Sequence, residues 1–144
     1  MSRKRKSAKT LAQPKWLWTS IILGISIVIV IAFAFYRFTP FTEISASQAY
    51  QKYQQGTFFL DVRTQVEWDN GHLANSTLIP LDQLSSRLTE IPKDQDVVVI
   101  CRSGVRAKQG TSTLREAGYT HAVSMTGGLL AWRSAGYPFE GNGP

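Results

Sequence analysis

Six consecutive residues, Cys101-Arg102-Ser103-Gly104-Val105-Arg106, hold the chemistry that this sequence offers. They follow a continuous β-branched run, Asp96-Val97-Val98-Val99-Ile100, and precede a stretch that reads as helix. In an open α/β sheet, ligands bind beyond the carboxyl ends of the strands. A thiol at that point lies at the N-terminus of the next helix, where backbone N–H groups and the helix dipole favour an anion. Arg102 and Arg106 add positive charge nearby. All three effects favour the thiolate, the nucleophilic form, and Ser103 with Gly104 allows a tight curl with N–H groups turned inward. A solitary cysteine ending a strand is more often a small buried hydrophobe; the two arginines and the strand–loop–helix setting move the reading to a nucleophile. Cys101 is the one cysteine among 144 residues. No internal disulfide can form, a Cys-rich metal site is excluded, and any resolving thiol must come from another molecule. Neither a metal nor a cofactor is expected.

The elements around this loop alternate strand and helix. Ser45 or Ser47 caps a helix through Tyr50 and Tyr53 that stops before Gly56. Thr57–Val62 reads as a buried strand ending in polar residues. Thr64–Trp68 suggests a helical turn, broken at Asn70-Gly71. Leu81, Leu84 and Leu88 follow Pro80 at helical spacing. Asp96–Ile100 is the clearest strand, suited to a sheet covered on both faces. Val105–Ala117 reads as a helix ending at Gly118, His121–Met125 as a strand, and Leu129–Arg133 as a last helix opened by Gly127-Gly128. This order predicts an α/β fold with a parallel sheet and helices on both sides.

On these residues the chain resembles the rhodanese family of sulfurtransferases. The loop Cys101–Arg106 is similar to the family's active-site loop. Leu60-Asp61-Val62-Arg63, Glu67-Trp68, Gly71-His72-Leu73 and Ile79-Pro80 are similar to its first signature. Thr126 to Trp132, with Gly136-Tyr137-Pro138, is similar to its C-terminal one. The resemblance implies a single rhodanese-like domain over 44–144 with a five-stranded parallel sheet flanked by helices. It implies that Cys101 takes the outer sulfur of a donor such as thiosulfate or a persulfide. Cys101 then holds it as a persulfide and yields it to a thiol or cyanide-like acceptor, with Arg102, Ser103, Gly104, Val105 and Arg106 forming the anion-binding loop. Related phosphatases use Cys-x5-Arg; the shorter Cys-x4-Arg here matches sulfurtransferases. A rhodanese fold kept as a binding or sensing module is the alternative. Ala107 stands where the family often has Ser.

Asp61 and Arg63, at a strand end, are expected to form an ion pair that braces the active-site loop. His72 is expected to pack and hydrogen-bond, His121 to be exposed and Trp132 to anchor the core. Gly127-Gly128 reads as a close-packing turn, since no Lys-Ser/Thr follows it. Asn75-Ser76-Thr77 is a formal glycosylation sequon.

The net charge of +6 is located in the N-terminal segment. Arg3, Lys4, Arg5, Lys6, Lys9 and Lys15 form a basic tail, 1–15, without an acid. From residue 38 onward nine Lys/Arg face ten Asp/Glu, a net of −1, so no nucleic-acid partner is expected. Trp16–Tyr36 is 21 residues without a charge. As a helix it is about 31 Å long, the thickness of a hydrocarbon core, with Trp16, Trp18 and Tyr36 at the headgroup level. The fold is therefore expected to be preceded by one transmembrane helix, 16–36, joined by a linker, 37–43. Ala32-Phe33-Ala34 gives the rival reading of a cleaved signal peptide. Either way the positive-inside rule puts the N-terminus in the cytoplasm and the domain on the outer, periplasmic or extracellular, side.

Overall fold

In the computed structural model, which describes residues 15–38 and 43–143, five short strands form one parallel sheet. They are β1 (Glu43–Ile44), β2 (Phe58–Asp61), β4 (Ser76–Leu78), β5 (Val97–Ile100) and β6 (Ala122–Met125). Their spatial order is β1-β6-β5-β2-β4, with β5 at the centre. Phe58 pairs with Val97 and Asp61 with Ile100 on one side of β5, and Val97 with Ala122 on the other. A separate antiparallel pair joins β3 (Gly71–His72) to β7 (Glu140–Gly141).

The unbroken apolar run in β5 has a direct cause. All four residues are fully buried because both faces of the strand are covered. Val97 and Val99 pack with Leu60, Val62, Leu84 and Leu114 on the face covered by helix α4 (Val105–Glu116). Val98 and Ile100 pack with Phe59, Leu129 and Trp132 on the face covered by α2 (Ala46–Gln54) and α5 (Gly128–Ser134). Ser45 caps α2 with a capping box to Gln48, which settles the choice between Ser45 and Ser47. Thr64 does the same for α3 (Gln65–Asn70) with Glu67.

Two expectations change. Leu81, Leu84 and Leu88 do not share one helix. Leu84–Ser86 and Leu88–Glu90 form separate 3₁₀ turns without a side-chain cap, split at Arg87. Leu84 alone of the three is fully buried. Glu43, placed at the end of the linker, already pairs with Ser124 in the sheet. Expectations for residues 1–14 and 39–42 lie outside the described residues.

The chain divides into two units, 1–39 and 40–144. The first contains helix α1 (Lys15–Phe38), whose described side chains, Ile21 to Ala32, are exposed. Among the described residues no helix is long and apolar enough to cross a membrane. Twelve residues rise about 18 Å, and the rest of the expected span lies outside the described side chains.

Trp132 is the largest fully buried side chain. Its ring meets Tyr50, Tyr53, Phe59 and Tyr137 edge to face, and its Nε1–H donates to the Pro138 carbonyl at 2.8 Å. Trp132→Ala should therefore cost about 3–5 kcal/mol, read as a lower urea midpoint of the folded unit.

Candidate active site

Cys101 follows the last residue of β5 and is 1% exposed. The chain then curls through Arg102 and Ser103 to Gly104, which adopts φ 97, a left-handed conformation suited to glycine. That curl turns main-chain N–H groups toward the sulfur. Sγ accepts from the Gly104 N–H at 3.1 Å and from the Ala107 N–H at 3.4 Å. Gly104 is also the N-cap of α4, without a side-chain cap. Two of the N–H groups left unpaired at the start of a helix, those of Gly104 and Ala107, thus face the sulfur, and both are backbone.

The loop is clamped from behind by α5. The Leu129 N–H donates to the Cys101 carbonyl at 2.8 Å and the Leu130 N–H to the Arg102 carbonyl at 3.0 Å. A Cβ on Gly128 would run into both carbonyl oxygens. Gly127-Gly128 is therefore the close-packing turn expected from sequence, and what it packs against is the cysteine loop.

The side chains of the loop divide. Arg102 and Ser103 are exposed, as is Val105. The Arg102 side chain makes no hydrogen bond or ion pair among the described residues. Arg106 is turned to Glu67 in a bidentate pair, both N···O distances 2.6 Å. Glu67 raises the Arg106 pKa further above its ordinary value, with smaller contributions from Cys101 and Asp61. The positive charge of Arg106 is thus already matched by a carboxylate, and Arg102 is the unpaired cation of the loop.

Glu67 had no role assigned from sequence, although Thr64-x-x-Glu67 carries the spacing of a capping box. It accepts from the Thr64 N–H and hydroxyl while holding Arg106. The Arg106 hydrogen bonds, and then those of Thr64, lower its carboxyl pKa from 4.5 to about 2 against the opposing effect of burial.

Asp61 and Arg63 form the expected ion pair, and both are fully buried. Arg63 Nε donates to Asp61 Oδ1 and Oδ2 at 3.0 and 2.9 Å, Nη2 to the Gly71 carbonyl at 2.8 Å and Nη1 to the Glu67 carbonyl at 3.3 Å. These bonds run to α3 and β3, and among the described residues Glu67 and Arg106 link the pair to the cysteine loop. Burial pushes the Asp61 carboxyl up, and the Arg63 hydrogen bonds pull against that shift. His72 stacks on Trp68 with ring centroids 4.0 Å apart, and its Nδ1 is 3.1 Å from the Trp68 carbonyl. His121 is exposed.

A cysteine between a central parallel strand and a helix, its sulfur facing two main-chain N–H groups, is a setting that favours a thiolate over a thiol. The model of the Rhodanese-like domain matches residues 45–135, and the chain belongs to that family. It is similar to a sulfurtransferase of Allochromatium vinosum, 36% identical over 84 residues, covering 58% of this chain and 78% of that one. It is also similar to a thiosulfate sulfurtransferase of Haemophilus influenzae, 29% identical over 107 residues, covering 70% and 96%. Among solved structures, a rhodanese-related protein from Thermoplasma volcanium superposes with a TM-score of 0.64 at 30% identity, covering 69% of this chain and 97% of that one.

Glu67→Gln should cost about 1.5–3 kcal/mol near neutral pH by weakening a charge-assisted pair. Because the folded-state pKa lies below the ordinary 4.5, the stabilisation is present above pH 4.5 and lost as pH falls toward 2. Urea titrations of both proteins should show their gap closing across that window.

Proposed function

We propose that this protein is a sulfurtransferase that carries a sulfane sulfur on Cys101 as a persulfide. The observation that carries the reading is the Cys101 sulfur held by two main-chain N–H donors at the carboxyl edge of the sheet. Fixed donors of this kind stabilise negative charge on sulfur without reorganising during the reaction. With thiosulfate as donor, the Cys101 thiolate attacks the outer sulfur. The S–S bond of thiosulfate breaks and sulfite leaves with its electron pair, so one S–S bond replaces another. A thiol or cyanide-like acceptor then attacks the outer sulfur of the persulfide, and the Cys101 thiolate is the leaving group. Arg102, exposed and unpaired, draws the anionic donor to the loop. Arg106 acts with Glu67 in holding the first turn of α4. The short Cys-x4-Arg loop favours sulfur over a tetrahedral phosphate.

We further propose that residues 16–36 anchor the protein in a membrane, with the N-terminus cytoplasmic and the rhodanese-like domain on the outer side. The support is the charge-free 21-residue stretch behind six positive charges.

Cys101→Ser is nearly isosteric and should keep the fold while abolishing transfer from thiosulfate to cyanide. Intact-mass spectrometry after thiosulfate treatment should show one added sulfur on the wild type and none on the variant. If thiosulfate, a thiosulfonate and a low-molecular-weight persulfide all fail to load the wild type, the catalytic reading falls and the binding-module reading replaces it.

Topology has its own test. Alkaline phosphatase fused after Gly143 should be active and a reporter that works only in the cytoplasm should be dark. The reverse pattern would overturn the orientation, and a soluble mature chain starting near Phe35 would overturn the anchor.

A further inference from the structure

The cations around the cysteine loop can be accounted for one by one. Arg106 gives both terminal nitrogens to Glu67, at 2.6 Å each. Lys108, also in the first turn of α4, pairs with Glu43 of β1 at 2.9 Å. Arg63 is matched by Asp61 in the buried pair. Each of these cations has its own carboxylate. The Arg102 side chain is exposed and has none among the described residues. Glu67 is itself fixed before it reaches the loop. The Thr64 N–H and hydroxyl both donate to Oε2, the oxygen that also accepts from Arg106 Nη1. With a pKa of about 2 it stays charged throughout the neutral range. The cleft beside Arg106 adds a second acid, Asp82, to that flank. An anion arriving at the loop therefore meets one cation free of a carboxylate, Arg102, although the loop contains two arginines.

Resting on the sulfurtransferase reading, we propose that Glu67 sets the charge of the sulfur donor: by neutralising Arg106 it leaves Arg102 as the loop's available cation, so the site takes singly charged donors, organic thiosulfonate or persulfide anions, in preference to the thiosulfate dianion. Loading brings two anions together, the Cys101 thiolate and the donor. Each further negative charge on the donor raises their repulsion unless a cation answers it. The main-chain N–H groups on Sγ serve the thiolate, and the donor's own charge is left to side chains. With a thiosulfonate, the thiolate attacks the terminal sulfur, the S–S bond breaks and a sulfinate leaves with its electron pair. With thiosulfate the same bond breaks and sulfite leaves. The two reactions differ by one negative charge, carried by the donor and then by the leaving group. Glu67 is a positioning residue in this scheme, acting on the donor through Arg106.

The test compares thiosulfate with methanethiosulfonate, which carries a methyl group in place of one anionic oxygen. Loading of the full chain in detergent is followed by intact mass at low donor concentration. Glu67→Gln keeps the shape and one acceptor oxygen while freeing the Arg106 charge. Its ratio of thiosulfate rate to methanethiosulfonate rate should rise roughly tenfold over the wild type, the scale of one charge-assisted contact. A merely structural role slows both donors alike, and an unchanged ratio would overturn the proposal. Glu67→Gln/Arg106→Gln restores the net charge of the loop, and its ratio should fall back to the wild-type value. A rise that persists in the double variant would show that Arg106 is not the cation released, and the proposal fails. The wild type supplies a measurement that needs no variant to fold. Sulfate and methanesulfonate, which differ by the same charge, should inhibit loading at similar concentrations. Inhibition by sulfate roughly tenfold tighter would mean that Arg106 serves dianions despite its partner, and the charge rule falls. All of these outcomes leave sulfur transfer standing. A wild type that takes sulfur from neither donor nor from a low-molecular-weight persulfide would instead remove the sulfurtransferase reading, and this inference with it.

Discussion

The geometry of the site depends on a guanidinium with no access to water. Arg63 is fully buried, and its N–H donors would be costly to leave unpaired. Asp61 takes Nε, and the carbonyls of Glu67 and Gly71 take the terminal nitrogens. Satisfying that one group fixes the end of β2, the course of α3 and the start of β3 together. It also places Glu67, which then grips Arg106 in the first turn of α4. The position of a helix N-terminus beside the sulfur is thus secured by a chain of polar contacts that begins at a buried charge on a neighbouring strand.

The opposite side of the loop is secured by backbone. Two of the helices that begin at this edge of the sheet meet at the loop, and they serve different purposes. The first N–H groups of α5 are occupied by the carbonyls of Cys101 and Arg102. Those of α4 face the sulfur. One helix end fixes the loop and the other supplies its electrostatics. Gly128 makes this division possible, since a side chain there has no room against the loop carbonyls.

What could be read from sequence follows the strength of local signals. β5 and the cysteine loop were legible because an unbroken β-branched run followed by a glycine-containing curl has few other readings. The ends of α2 and α4 were marked by a serine cap and by glycine. The strands β1, β3, β4 and β7 were missed. At two or three residues each they carry no periodicity, and partners distant in the chain create them. The leucines at 81, 84 and 88 kept a helical spacing while uncapped 3₁₀ turns took the place of the helix. In the site, Cys101 and the Asp61–Arg63 pair were legible by residue type and position. The engagement of Arg106 with Glu67 was not, because it joins residues 39 apart.

Every atom shown holding the sulfur is main chain, and this has a consequence for how such a domain can change. Substituting a side chain does not remove a peptide N–H unless the newcomer is proline. Ser103 and Val105 point outward and contribute nothing to the hold on Sγ beyond their backbone. Substitution at those two positions can therefore rewrite the surface around the loop while Sγ keeps its main-chain donors.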